Sequence, residues 1–543
     1  MTASSETQHH DFLPASVRAA APYFILVLAV FAAYINIFDN QFLFDDDLLI
    51  KINAWIRDWH HIGDIVTGST TGGAHIAGGF YRPVQILLYL AMFQLGDGST
   101  VPFHLLNLSL HIANTCFVYR LGNKMGFKQE GVFLAALIWG LHPLHTEAVT
   151  YMSATADPLF SFCCLLSIIL LLPDITPRKI WMIFPLYLLG LFTKETMVMF
   201  PALVMACLYF MSPDRLKLRT YWRTWPLWIV SIGFVIWRMH APGFDGPQTY
   251  GRFYALSSFS PLKMYAEHPL YRFYTFLATL YHYLKLMIWP TGLHMERGFP
   301  VFTDFSPPPV LCGLALLLLG AFVVGRSFRP GNPDRAMAWG FLWFAAAHGP
   351  DSGLLIPMNS LFLEHWMYLP SVGLFLGGTE TLAKFLEKRP AYTRAFCSGV
   401  LLIMAVVFSV KTSQQNKIWH DPDSFYNNIF AYGETSARAR NNLALYYSDH
   451  GNYAGAITQF QEAIKESDAY AETHYNLALN YLRDAQGDYV QNAINQLNLS
   501  LKIDPNFYRS YFILGDIYSK FLHDQKKSDE YHDRAIELIH EPK

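Results

Sequence analysis

Five short groups of polar side chains in this chain sit at the ends of apolar runs, and together they have the makings of an acid–base and anion-binding site. The first is Asp45-Asp46-Asp47, which follows Phe42-Leu43-Phe44. A carboxylate a few residues from an apolar run is partly desolvated, which raises its pKa and improves it as a general base. An acidic triplet that simply sits in water is the plainer reading. The second is His142-Pro143-Leu144-His145-Thr146-Glu147 with Asp157. His142, His145 and Glu147 fall mid-to-late in a predicted apolar helix, where ionisable groups usually face a cavity. The spacing of His142 and His145 could suit a metal, but Pro143 separates them and a third ligand is missing, so a divalent metal is unsupported. The third is Lys194-Glu195, for which a neighbouring ion pair is the plain reading. The fourth is Glu364-His365 with Tyr368-Leu369-Pro370-Ser371, and the fifth is Tyr81-Arg82-Pro83 with His104.

The elements that must position these groups are membrane helices. Of 543 residues, 52% are hydrophobic and 15% charged, against about 25% charged in a typical soluble protein. Apolar runs long enough for spans fall near Pro22–Phe38, Phe103–Leu121, Val132–Met152, Pro158–Leu172, Trp181–Phe192, Met197–Met211, Trp225–Met239, Pro309–Val324, Ala338–His348, Leu363–Gly377 and Phe396–Val410, about eleven in all. Lys and Arg gather in alternate short loops: Arg120, Lys124 and Lys128; Arg178 and Lys179; Arg215, Lys217, Arg219 and Arg223; Arg326, Arg329 and Arg335; Lys384, Lys388, Arg389 and Arg394. That side is expected to be cytoplasmic. Residues 1–21 are then a cytoplasmic N-terminus before a retained first span. An odd span count puts the C-terminal tail outside. All five polar groups fall on that outer side, whereas scatter by chance would leave some on the other. Two long outside loops, 39–102 and 240–308, carry the helices Arg82–Leu95 and Tyr271–Trp289, expected to lie in the interface. The six cysteines lie in apolar runs and point to no disulfide framework. A net charge of -2 names no polyanion, so nucleic acid is not an expected partner.

The tail repeats. Asn442-Leu443-Ala444 and Tyr447 return 34 residues later as Asn476-Leu477-Ala478 and Tyr481, and Gly451-Asn452-Tyr453 returns as Gly487-Asp488-Tyr489 after a small insertion. A third unit starts at Leu514-Gly515-Asp516. This is the period of tetratricopeptide (TPR) repeats, paired helices that stack into a solenoid with a concave groove suited to an extended polypeptide. A purely structural cap is the plainer alternative. The chain therefore divides into a membrane domain over residues 22–411, a linker helix over 412–436 and a soluble repeat domain over 437–543, all α-helical.

In order along the chain, Phe44-Asp45-Asp46, Tyr81-Arg82-Pro83, Phe103-His104-Leu105-Leu106-Asn107 with His111, His142-Pro143 through Glu147-Ala148-Val149, Asp157, Lys194-Glu195, Glu364 and Tyr368-Leu369-Pro370-Ser371, ending in the repeats, resemble the transmembrane-and-TPR protein O-mannosyltransferases, the TMTC family, and their bacterial relatives. The resemblance implies a membrane glycosyltransferase of the GT-C fold. Such an enzyme takes a sugar, such as mannose, from a polyprenyl-phosphate carrier with inversion and passes it to a Ser or Thr hydroxyl of an exported protein. Asp45 or Asp46 would be the base. Arg82, His104, His142, His145, Lys194 and His365 would bind the donor and its phosphate, with Glu147, Asp157, Glu195, Glu364 and Tyr368 in support. Membrane lipid surrounds the enzyme, and the donor lipid and a protein acceptor held in the repeat groove are its partners. The residues name no cofactor, and a divalent metal is possible but unsupported. Relatives tend to carry Arg where this chain has Thr155 and His365, which leaves Arg82, Lys194 and His365 as the cations for the phosphate. The short tail implies a bacterial inner membrane with the repeats in the periplasm; in a eukaryote they would lie in the ER lumen. A lipid or envelope-glycan acceptor, or a non-catalytic membrane-anchored scaffold, are the alternatives.

Overall fold

The computed structural model describes residues 15–75, 80–240, 261–329, 335–358, 360–433, 436–468, 470–484 and 489–540. Most of the predicted cytoplasmic N-terminus, part of the 240–308 loop and the Gly487-Asp488 turn lie outside these residues. Helices and turns make up the described residues, with no strand among them. The chain forms two compact units. One comprises residues 1–249, 264–293 and 301–420, and the other residues 250–263, 294–300 and 421–543.

In the first unit, helices lie over ten of the expected apolar runs. They are Ala15–Tyr34, Val101–Lys124, Ala156–Leu171, Pro177–Leu191, Phe200–Met211, Trp225–His240, Pro308–Ser327, Ala336–His348, Pro370–Glu387 and Ala391–Asn416. By length and composition, Ala19–Ile37, Met152–Leu171, Pro308–Ser327 and Ala391–Trp419 could each cross a membrane, and the bent pair Gln129–Gly140 with Pro143–Thr150 makes a fifth. The unit is a membrane protein built from apolar helices. Several are short. Ala336–His348 has 13 residues, roughly 20 Å of helix against a hydrocarbon core of roughly 30 Å.

The eleventh run, Val132–Met152, is not one helix. It stops at Gly140, continues through His142 in an extended conformation (φ -73°, ψ 126°), and resumes after a turn at Pro143–His145, bent by 49°. The reason is Pro143, whose ring excludes helical geometry from the residue before it and supplies no N–H to the helix. His142, His145 and Glu147 thus lie in and just after a break rather than along a continuous apolar helix.

Glycine makes possible a close contact between Ala336–His348 and Pro370–Glu387. A Cβ on Gly340 would stand 2.6 Å from the Gly373 carbonyl oxygen, and one on Gly377 would stand 2.6 Å from that of Ala336. Gly373 and Gly377 are four apart on one helix face, the small-residue spacing that lets membrane helices approach. Trp339 and Trp343 fill the space beside this contact, fully buried.

The loop after the first helix has its own small core. Ile50, Ile56 and Ile65 pack with Ile86, Tyr89 and Leu90 of the helix Pro83–Gly96, and with Phe103 and Met152. This fixes the loop that carries Asp45 and Asp46 against the ends of the membrane helices.

In the second unit, the tail forms three helix pairs: Ala437–Asp449 with Tyr453–Glu466, Ala471–Arg483 with Val490–Ile503, and Tyr508–Lys520 with Gln525–His540. Each helix packs on the next. Buried Ala444, Ala456, Ala478 and Ala493 allow the close approach, and Phe460, Leu477, Leu497 and Leu514 fill between. Asn452 caps the second helix by accepting the Gly455 N–H at 3.0 Å.

The glycine contact yields a test. Gly377→Val should lower stability by about 1–3 kcal/mol, the usual scale of overpacking, and show as a lower melting temperature in detergent. Gly378→Val, with nothing within 4 Å of its Cβ, should melt near the wild type.

Candidate functional site

The segment Tyr151–Asp157 joins two groups of polar residues. It links the second half of the broken helix to Ala156–Leu171, so both its ends are held by packed helices. On one side it receives the acidic loop. Asp46 is buried, and its carboxylate accepts the Ser153 N–H at 2.8 Å, the Ser153 hydroxyl and the Leu43 N–H at 2.9 Å. The Asp45 N–H donates to the Tyr151 hydroxyl at 3.0 Å. Phe44 takes a left-handed backbone, φ 54°, which costs a non-glycine residue about 1–3 kcal/mol. The turn is held nonetheless, because Asp46 ties both of its ends. Asp45 stays partly exposed, while Asp47 lies in water in an ion pair with Lys51 at 2.8 Å.

Burial drives the Asp46 carboxyl up to about 7, against the pull of its three donors, and the neighbouring Asp45 charge adds to the rise.

On its other side the segment ends in a charged network. Lys194 Nζ donates to Asp157 Oδ1 at 2.7 Å, both side chains buried. His365 Nδ1 lies 2.8 Å from Glu147 Oε1, and Glu147 Oε2 accepts the N–H groups of Glu364 and His365 at 2.9 and 3.1 Å. His365 Nε2 is 4.0 Å from Asp157 Oδ2. Arg82 donates through Nε and Nη2 to Glu195 Oε2 at 3.3 and 3.1 Å. Asp351 accepts from the Thr196 hydroxyl at 3.3 Å; burial pushes its carboxyl up while Lys194 pulls it back. Arg82, Lys194 and His365 are thus brought together with Glu147, Asp157 and Glu195, from segments far apart in sequence. The Glu364 side chain is buried beside them.

The other histidines serve the helix break. It frees the carbonyls of Trp139 and Gly140; His145 Nδ1 takes the first at 2.8 Å and His111 Nε2 the second at 2.9 Å. The Tyr368 hydroxyl sits 2.7 Å from His111 Nδ1, and His145 Nε2 faces the Ser371 hydroxyl at 3.3 Å. His142 Nε2 binds the Met287 carbonyl at 2.9 Å, and His142 Nδ1 accepts the Leu144 N–H at 3.1 Å. His104 Nε2 binds the Asn40 carbonyl at 3.3 Å. His142, His145 and Tyr368 therefore have their polar atoms engaged inside the fold, and His104 has one. Thr155 is buried and hydrogen-bonded to Asn107 Oδ1 at 2.6 Å and to the Met152 carbonyl.

Two residues of this region were not singled out in the sequence. Arg238, at the end of Trp225–His240, is buried over the Tyr81 ring at 5.7 Å and interacts electrostatically with Glu195. Asp351 follows the helix Ala336–His348. An arginine inside an apolar helix is a signal for a functional site that could have found the first. Asp351 gave no signal, because a lone acid in a loop is ordinary.

A groove of about 510 Å³ runs between the helices Pro269–Ile288, Pro308–Ser327 and Ala336–His348, lined by Phe276, Leu280, Leu317, Val324 and Phe341 among others. Gly349 and Ser352, which flank Pro350 and Asp351 in sequence, are among its lining residues. His348 also lines it, buried, with no hydrogen-bond partner for either ring nitrogen among the described residues. No group of three or more His, Cys, Asp or Glu side chains among the described residues could hold a metal ion.

The fold and site define an all-helical membrane protein with a buried charged network where its helices end. No family model matches the chain. It is similar to protein O-mannosyl-transferase F38B6.6 of Caenorhabditis elegans, 24% identical over 82% of this chain and 63% of the relative. It is also similar to Tmtc3 of Drosophila melanogaster, 21% identical over 96% of this chain and 64% of the relative, and to human TMTC1, 24% identical over 73% and 49%. The resemblance to the TMTC family, carried by the motifs, thus stands over most of the chain. The chain spans under two thirds of the length of these relatives.

The Asp46 environment sets a pH dependence. Its folded pKa of about 7 lies above the ordinary 3.8, so the folded state binds more protons between the two. Its contribution is fully present below about pH 4 and is lost as pH rises through about 7. The melting temperature of Asp46→Asn relative to wild type should therefore rise from pH 5 to pH 8, as measured by detergent melting. A difference that does not change with pH would contradict this.

Proposed function

We propose that the chain is a membrane glycosyltransferase that moves a sugar, a hexose such as mannose, from a polyprenyl-phosphate carrier to a Ser or Thr hydroxyl of an exported protein, with inversion. The observation that carries the reading is the arrangement around Tyr151–Asp157. A reachable carboxylate, Asp45, lies on one side of this segment, and the cations Lys194, His365 and Arg82 lie on the other. Acid and cations are what this transfer needs. The base takes the acceptor proton as the anomeric carbon leaves the phosphate, and the cations offset the charge that builds on the leaving oxygen.

Asp45 is the base in this reading, because Asp46 is buried beneath it and engaged by three donors. Asp46 holds the strained turn that presents Asp45. The relatives, protein O-mannosyl-transferases by name, support a protein acceptor and mannose. The groove between the three helices supports a lipid carrier, since its apolar lining suits a polyprenyl chain. The three helix pairs of the tail support TPR repeats that capture the acceptor polypeptide. The Lys and Arg asymmetry supports an outer site and tail, in the periplasm or the ER lumen.

Two experiments test the reading. Intact masses of exported proteins, compared with and without the gene, should show loss of one hexose; unchanged masses would overturn the protein acceptor and leave the lipid or envelope-glycan acceptor and the membrane scaffold. Asp45→Asn should lower turnover by a factor of roughly 100 to 10,000, the usual size of general-base catalysis, with a normal melting temperature. Asp47→Asn should change turnover little.

A further inference from the structure

The acidic members of the charged network are not equivalent. Glu147 takes two backbone N–H groups and the His365 ring, and is buried. Asp157 takes Lys194 and is buried. Both are fixed from several directions. Glu195 differs. Its side chain is 37% exposed while that of Arg82 is 19% exposed, and a single oxygen, Oε2, takes both Arg82 N–H groups.

The cations around it are held independently of it. Arg82 lies over the Phe80 ring at 4.6 Å, and Arg238 over the Tyr81 ring at 5.7 Å. Tyr81 itself is wedged against Phe192 and Trp237, ring centres 6.2 and 5.4 Å away. Aromatic faces thus support both guanidinium groups, and both groups feel the Glu195 charge. Lys194, the next residue, faces the opposite way into Asp157.

We infer that Glu195 is a stand-in for a ligand's phosphate: it neutralises Arg82 and Arg238 while no phosphate is bound, and swings into water when a phosphate takes its place. The chemistry favours the exchange. A phosphate offers three acceptor oxygens and up to two charges to guanidinium forks shaped to grip it, where Glu195 offers one oxygen. The exposed position of Glu195 lets its carboxylate recover hydration on leaving, which Glu147 and Asp157 could not do. Arg238 then becomes a second phosphate-gripping residue. The inference rests on the reading of this network as a donor-phosphate site.

The test uses the full chain in lipid nanodiscs with farnesyl phosphate as probe and farnesol as control, read by calorimetry. Glu195→Gln keeps the shape and removes the competing charge, so it should bind farnesyl phosphate about tenfold more tightly than wild type, with farnesol unchanged. Arg238→Met should bind it more weakly than wild type. Should Glu195→Gln fail to fold, Glu195→Asp, too short to hold Arg82 as closely, should show a smaller gain in the same direction. If wild type binds the probe and the Glu195 variants bind it equally or less tightly, Glu195 is a structural brace and the inference falls while the phosphate site stands. If no folded variant binds farnesyl phosphate above farnesol, the phosphate site itself falls, and the inference with it.

Discussion

A lysine buried at the end of apolar helices must have a counter-charge, and here Asp157 supplies it at 2.7 Å. Removing either partner alone would strand a charge in a low-dielectric setting, which costs about 3–5 kcal/mol. The pair therefore constrains its surroundings. Lys194 follows the helix Pro177–Leu191 and Asp157 lies in the first turn of Ala156–Leu171, so the ion pair locks the adjoining ends of these two helices together. His365 comes within reach of the same carboxylate and is tied to Glu147, which draws in the start of the segment before Pro370–Glu387. Such a network contributes little net stability over apolar packing; what it provides is one arrangement of charges rather than many.

The same logic governs the histidines. A membrane helix that breaks leaves carbonyls with no water to satisfy them, and each unsatisfied group is expensive. Pro143 forces the break, and His111 and His145 answer it by binding the carbonyls released at Gly140 and Trp139. Two further contacts, to the hydroxyls of Tyr368 and Ser371, knit these rings into the adjoining segment. The break has a use as well. It turns the chain so that Glu147 and the segment Tyr151–Asp157 meet both the acidic loop and the cations.

Strain and its support meet in the acidic loop. Phe44 with φ 54° would relax to an ordinary backbone if the turn were free. Asp46, bonded to Leu43 behind it and Ser153 across from it, holds the turn closed. One aspartate thus holds the loop so that its neighbour Asp45 can be reached, which explains why adjacent acids need not share a role.

Sequence alone determined the helical class, the positions of the apolar runs and the paired helices of the tail. These follow from local quantities: the length of an apolar run, the position of Lys and Arg, a period of 34 residues. Tertiary structure decided which polar residues meet. His142 and His145 look in sequence like site residues, because ionisable groups in an apolar run read as functional whatever they bind. Only the fold reveals that their partners are backbone carbonyls such as those of Met287 and Trp139. Arg238 and Asp351 were passed over for the converse reason: their proximity to Glu195 and Lys194 joins residues dozens to more than a hundred positions apart. The burial that separates Asp46 from Asp45 also had no local sign, since two identical side chains in succession differ only in what the rest of the chain packs against them.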